Sequence, residues 1–388
     1  MEKTKVVLLR CNDYNVDIIE RKLREGFSLL GGDEYLRKLI PVNCKVLLKP
    51  NLLRISEPGS LTVTHFTVFE AIVRIVKEYT NDIAFGDSPG YGDGLKAARR
   101  CGILEVAERY GVKYADFSET VHVVLDEALI CKSWDVAKVA FDADVVITLP
   151  RLKTHALTYF TGAVKNQFGC IPGMSKKTWH ARMPEVENFS KMLLDLNSVV
   201  KTSFSILEGI IAMEGNGPSN GTPHRMDTLI MGESITAVDS TAVRLIGYED
   251  PTETPVLKVA KEHNYGPVMP SEIEVLGETI ESMKATNFKL CRIAKFTTNV
   301  SPILTNLIKK LASPNPALTE EKCIGCGRCR EVCPEEPKVI TMVKKAAGNR
   351  PVWNLNKCIR CFCCQELCPE GAIVTRYTKL GKLLRLER

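Results

Sequence analysis

No stretch of this 388-residue chain approaches the roughly 18 uninterrupted apolar residues that a membrane-crossing helix needs, so no transmembrane segment is expected. An apolar leader is missing too: Met1 to Lys5 runs straight into the strand-like Val6–Leu9, and the expected location is the cytoplasm. Strong net charge is absent, and a formal +6 is too modest to imply nucleic acid. So is a complete G-x-G-x-x-G turn, which weighs against a nicotinamide cofactor. A disulfide framework is not in evidence either. Cys11, Cys44, Cys101, Cys131, Cys170, Cys291 and Cys363 are scattered and odd in number, as in a reducing compartment. What remains, 45% hydrophobic and 25% charged, is the composition of an ordinary globular protein, long enough for one large domain and one small one.

The remaining eight cysteines form two matching runs, Cys323-x2-Cys326-x2-Cys329-x3-Cys333-Pro334 and Cys358-x2-Cys361-x2-Cys364-x3-Cys368-Pro369. This is the spacing of a bacterial ferredoxin with two [4Fe–4S] clusters, in which the fourth cysteine of each run ligates the other cluster. The expected sets are therefore Cys323, Cys326, Cys329 and Cys368 for one cluster, and Cys358, Cys361, Cys364 and Cys333 for the second. Zinc would favour paired Cys-x2-Cys knuckles without the trailing Cys-Pro. The spacing leaves Cys363 out of both sets.

Upstream, short apolar runs alternate with helix-period segments, which predicts an α/β domain with a mainly parallel sheet, followed by a C-terminal α+β ferredoxin-like domain. Expected strands are Val6–Arg10, Val46–Leu48, Ile83–Phe85, Val145–Thr148, Phe204–Leu207 and Leu229–Met231. Expected helices are Phe66–Tyr79, Leu95–Tyr110, Glu187–Val200 and Ile235–Ile246. The α/β domain is placed at 1–290, a basic linker ending in Ser313-Pro-Asn-Pro316 at 291–317, the ferredoxin unit at 318–376 and a basic tail at 377–388, read as a capping helix or frayed end.

Polar motifs recur where the strands end: Lys49-Pro-Asn51, Gly86-Asp-Ser-Pro-Gly90, Pro150-Arg-Leu-Lys-Thr-His155 and Glu208-Gly209. Open α/β sheets bind ligands beyond the carboxyl ends of their strands, so these turns predict one shared cleft. Lys49, Lys153, Lys165 and Asn166 are candidates to hold an anion there, with Asn51 and Asp87 beside them. A small-residue helix start after Thr158 and Thr161 offers free N–H groups to the same anion. His155 is a candidate proton donor. Glu214, in Glu-Gly-Asn-Gly-Pro218, is a candidate general base that Glu208 could orient, and Glu233, Ser234 and Asp239 are candidates to close the cleft. Asp239 could equally cap a helix turn, and Gly86 to Gly94 could be a simple turn.

Leu-Lys-Pro-Asn at 48–51, Gly-Asp-Ser-Pro-Gly at 86–90, Leu-Lys-Thr-His with Lys-Asn-x-Phe-Gly at 152–169 and Glu-Gly-Asn-Gly-Pro at 214–218 resemble, in that order, the domain-of-unknown-function 362 family. Glu208 stands where that family usually has Asp. The resemblance implies an iron–sulfur-associated protein and supplies no catalytic residue. Together these features lead us to expect an iron–sulfur oxidoreductase acting on an anionic small molecule and served by a redox partner protein. The alternative is an electron donor or maturation partner for another protein or a cofactor precursor.

Overall fold

The computed structural model describes residues 2–173, 175–291, 314–346 and 348–378. Its centre is a ten-stranded sheet. The strands are β1 (Thr4–Arg10), β2 (Val46–Pro50), β3 (Ile83–Phe85), β4 (Lys113–Tyr114), β7 (Val145–Leu149), β8 (Arg151–His155), β9 (Tyr159–Thr161), β10 (Phe204–Glu214), β11 (Thr222–Gly232) and β12 (Ile273–Gly277); β5 (Thr120–Val124) and β6 (Ser133–Ala137) form a separate hairpin. The main path runs β12-β1-β11-β10-β7-β2-β3-β4. From β10 to β4 every neighbouring pair is parallel; β11 is antiparallel to both β1 and β10.

Period-two alternation divides the core between the two faces of this sheet. Val46, Leu48, Val145, Ile147 and Leu149 face the helices Val16–Leu30 and Phe66–Val76, while Leu47 and Val146 face the helices Val186–Val199 and Ile235–Leu245. Strands covered on both faces read as continuous apolar runs, which is why β2 and β7 are legible in the sequence.

The expected α/β class holds, with three local differences. The expected helix Leu95–Tyr110 is two helices, Gly94–Arg100 and Ile103–Tyr110, because Gly102 turns the backbone to φ +86°. β10 and β11 extend far beyond their apolar centres into an eleven-residue pair. β8 is a strand of five buried residues, Arg-Leu-Lys-Thr-His, with no apolar run to announce it.

In the C-terminal unit, β13 (Asn315–Leu318) pairs with β16 (Ile373–Arg376), and β14 (Ile340–Lys345) forms a hairpin with β15 (Gly348–Trp353). β13 thus begins inside the stretch read as linker. The rest of that linker from 292 to 313, and the basic tail from 379, lie outside the described residues. Among the described residues, no helix is long and apolar enough to cross a membrane.

Candidate functional site

Strand alternation puts Arg151, Lys153 and His155 on one face of β8 and Leu152 and Thr154 on the other. Each of the three polar residues meets a different fate. Arg151 pairs with Glu208 at 2.5 Å in a fully buried ion pair, joined by the Tyr14 hydroxyl, which donates to Glu208 at 3.2 Å. Glu208 therefore holds β8 to the sheet and does not orient Glu214.

Lys153 reaches a cleft between the strand ends and the ferredoxin unit. Its Nζ donates to Asn51 Oδ1 at 3.2 Å and to the Thr62 carbonyl at 3.0 Å. Burial, reinforced by the neighbouring Lys165 ammonium, presses its pKa from 10.5 down to about 7.

His155 lies just behind this cleft. Its Nδ1 accepts the Leu157 and Thr158 amides at 3.0 and 3.2 Å, which fixes the proton on Nε2. Among the described residues that Nε2–H has no hydrogen-bond partner; Glu366 Oε2 stands 3.9 Å away. Burial, then Lys165, holds the imidazole pKa well below 6.5, so the contact is a dipole beside a carboxylate rather than an ion pair.

Other expected anion ligands turn out to build the floor. Lys49 is fully buried, and its ammonium is taken up by Asp87 Oδ1 at 2.8 Å, the Asn166 carbonyl at 2.7 Å and the Pro50 carbonyl at 3.5 Å. The second Asp87 oxygen accepts the Leu52 amide at 2.7 Å. Asn166 donates to Thr148 Oγ1 and accepts from Asn51. A Cβ at Gly169 would stand 1.8 Å from Asp87 Oδ1, so this lattice needs glycine there. Asn51, Asp87 and Asn166 line the cleft with Lys153 and Lys165, whereas Lys49 lies beneath it.

Geometry corrects three further expectations. The helix start at Ala163 has its N–H groups occupied: Asp239 accepts the Ala163 and Val164 amides at 2.6 and 3.0 Å, so the anion at that terminus is the chain's own. Glu214 is not in the cleft. It accepts from Thr222 at 3.2 Å, His224 at 2.9 Å and the Lys289 amide at 2.9 Å, pinning the β10–β11 hairpin to the segment that follows Met283. Nor do Glu233 and Ser234 close the cleft: Glu233 accepts from Tyr35, and Ser234 caps the helix Ile235–Leu245. Asp93 likewise caps the helix Gly94–Arg100, as in a structural turn.

The loop after Glu214 has a different task. Asn216 Oδ1 accepts Gln365 Nε2 at 2.8 Å and the Thr375 amide at 3.2 Å, Ser219 donates to the Glu366 carbonyl at 2.8 Å, and Asn220 to the Ile373 carbonyl at 2.7 Å. Arg54 adds a contact to the Cys368 carbonyl. These bonds seat the ferredoxin unit over the strand ends, so that Val332, Cys363, Glu366 and Leu367 form one wall of the cleft.

The opposite wall contains residues the sequence reading missed. Lys176 and Lys177, from the helix Ser175–Arg182, line it with His180, whose ring stacks on Phe189 at 4.6 Å. Lys176 donates to the Ser88 carbonyl at 2.5 Å, and burial lowers its pKa to about 8. His180 Nδ1 is buried without a hydrogen-bond partner among the described residues. Lys176 and His180 stand four apart, one helical turn, shortly after Ile171-Pro-Gly173; that spacing was the available signal. Glu366 was hidden inside the second cysteine run.

Cys323, Cys326, Cys329 and Cys368 line one cavity, with Leu318, Met342 and Ile373. Cys333, Cys358, Cys361 and Cys364 line a second, with Val339, Ile340 and Trp353. Each cavity draws three thiols from one run and the fourth from the other, in apolar surroundings, which fits an iron–sulfur cubane. The thiols ring a volume rather than a point: among the described residues no three His, Cys, Asp or Glu side chains could hold a single metal ion. Cys363 lines neither cavity and faces the cleft.

Comparison with known proteins covers both parts. Residues 315–369 match the 4Fe-4S dicluster domain, an iron–sulfur domain of the electron-transfer type, and residues 46–244 match the domain of unknown function DUF362. A thylakoid-associated protein of Synechocystis is 32% identical over 263 residues, covering 68% of this chain and 80% of that protein. Among solved structures, the lactate racemase apoprotein of Thermoanaerobacterium thermosaccharolyticum superposes with a TM-score of 0.39 at 13% identity, over 58% of this chain and 54% of that one. A Thermotoga maritima structural-genomics protein also gives 0.39, at 17% identity and 62% of each chain. The chain thus spans about half to three-fifths of the solved chains it superposes on. By the length of the family match and the identity to the Synechocystis protein, the chain belongs to the DUF362 family, with a 4Fe-4S dicluster domain at its C-terminal end.

Proposed function

We propose that this protein is a ferredoxin-linked oxidoreductase that exchanges electrons with an anionic small molecule bound between its two domains. The observation that carries the reading is the shared wall of the cleft. Lys153, Lys165, Lys176 and Lys177 face it from the α/β domain, and Cys363, Glu366 and Leu367 face it from the chain between cysteines of the second run. Asp87 is neutralised by Lys49, which leaves Glu366 as the carboxylate opposing four lysines. Such an excess of cations in a partly buried cleft favours a ligand with two or more negative charges.

Two [4Fe–4S] clusters, held by the two cysteine sets that line the cavities, would supply one-electron transfer when bound. The set containing Cys361 and Cys364 adjoins the cleft through Cys363. The other faces out: Cys326 is exposed and Ile324 is 65% exposed, which suits docking of a redox partner protein. Lys165 and Lys176 position the anion, and Glu366, beside the fixed Nε2–H of His155, moves a proton at the cleft wall.

The test is anion binding by anaerobically reconstituted protein. Oxalate, citrate and phosphate titrated calorimetrically should include a binder whose affinity falls at least tenfold in Lys165→Met and Lys176→Met. Equal affinity in both variants and the parent would refute the cleft.

A further inference from the structure

Two buried lysines in this fold are held in opposite ways. Lys49 is clamped to the Asp87 carboxylate and spent on structure. Lys153 is 1% exposed, yet its Nζ touches only neutral oxygens, Asn51 Oδ1 and the Thr62 carbonyl, and no carboxylate lies within ion-pair distance among the described residues. Two acceptors take two of the three protons of an ammonium, or both protons of a neutral amine. In the second case the lone pair is left over, on a residue that lines the cleft.

We propose that Lys153 is a nucleophilic amine that condenses with the carbonyl group of an anionic aldehyde or 2-oxo acid bound in the cleft. The inference rests on the anion-binding reading above and narrows it to carbonyl compounds. In the condensation, Nζ attacks the carbonyl carbon and a C–N bond forms. The two amine protons leave with the carbonyl oxygen as water, and a C=N bond remains, so no oxidant or reductant is consumed. Lys165 and Lys176 hold the carboxylate or phosphate of the same molecule, and Glu366 is placed to carry protons between nitrogen and oxygen.

The charge environment supports a neutral amine near neutral pH. Burial comes first; Lys165 and Arg151 then oppose the charged form, while Glu366 and Asp87 favour it, and the net result is a pKa of about 7. Lys176 faces the same cleft with His180, and His155 stands behind Glu366. Desolvation beside a second lysine is a recognised way to activate an amine for this chemistry.

Glyoxylate with cyanoborohydride, applied to the full-length reconstituted protein, tests the proposal through covalent labelling rather than turnover. Peptide mapping should place a carboxymethyl group on Lys153, with labelling that rises through about pH 7 and is blocked by oxalate. Lys153→Arg should lose this label while keeping its iron content. Oxalate binding with Lys153 unlabelled, or with the label on Lys165 or Lys176 instead, overturns the amine role and leaves the anion cleft standing. Absence of labelling together with absence of binding by oxalate, citrate and phosphate overturns the cleft itself, and this inference with it.

Discussion

Replacing Lys153 by methionine should make the protein more stable and less functional at once. The side chain is 1% exposed, and its protonated form is disfavoured by burial and by Lys165, so the cation is a cost to the fold at neutral pH. The sign follows from proton linkage. Between a folded value of about 7 and an unfolded value of 10.5, the unfolded chain binds more protons than the folded one, so stability rises with pH across that window. Below pH 7 the penalty is fully in place. Its ceiling, for the whole displacement at about 1.4 kcal/mol per tenfold change in proton affinity, is roughly 5 kcal/mol. About 3 kcal/mol of it should be relieved in the parent between about pH 6.5 and 9.5. Methionine carries no proton to lose, and it fills most of the lysine's volume at the price of two hydrogen bonds worth about 1 kcal/mol each. Anaerobic urea unfolding of both proteins across this range should therefore show a variant advantage at the acid end that shrinks steadily towards the alkaline end. A stability difference that stays flat with pH would mean that Lys153 is solvated and ordinarily charged, and the reasoning would fail.

Asp87→Asn should cost about 3–5 kcal/mol, because Lys49 is left buried without its counter-charge and one amide oxygen must serve both Lys49 and the Leu52 amide; a loss below about 1 kcal/mol in urea melts would show the pair to be solvated. Glu214→Gln should lower stability by about 1–3 kcal/mol through the hairpin contacts to His224 and Lys289 while leaving anion affinity unchanged, and a calorimetric loss of binding would restore Glu214 to the site. Cys363→Ala should retain the full iron content of the parent, whereas Cys361→Ser should lose about half of it, both measured by iron analysis after reconstitution; an equal loss in the two would make Cys363 a ligand.

Much of the fold was legible because parallel strands buried on both faces carry apolar runs, as Val46–Leu48, Ile83–Phe85 and Val145–Ile147 do in β2, β3 and β7. The cysteine pairing was legible for a similar reason: the three-plus-one spacing leaves little geometric freedom, and the two cavities divide the thiols as the spacing divides them. What the sequence concealed was the partner of each polar group. Lys49, Lys153 and Lys165 read alike as cations near strand ends. Only tertiary placement separates one spent on Asp87, one desolvated and one half-exposed at the cleft. Asp239, distant in sequence, takes the helix start offered to a ligand, and the Asn216 loop holds the ferredoxin unit rather than a substrate. β8 was missed because its five residues are buried by pairing polar groups, not by apolar burial. Lys176, His180 and Glu366 join the site from segments about 90 and 280 residues beyond Asp87, a convergence that periodicity does not encode.

The central claim is that the cleft and the nearer cysteine set act together. The most direct test is electron paramagnetic resonance of dithionite-reduced protein titrated with a bound anion such as oxalate. Cys326→Ser, which keeps the set lining the cleft side, should retain an anion-induced change in the signal and midpoint potential of its remaining cluster. Cys361→Ser, which keeps only the outward-facing set, should show none. Oxalate binding that leaves both variants unchanged, or that shifts only Cys361→Ser, would separate the cleft from the electron path and end the proposal.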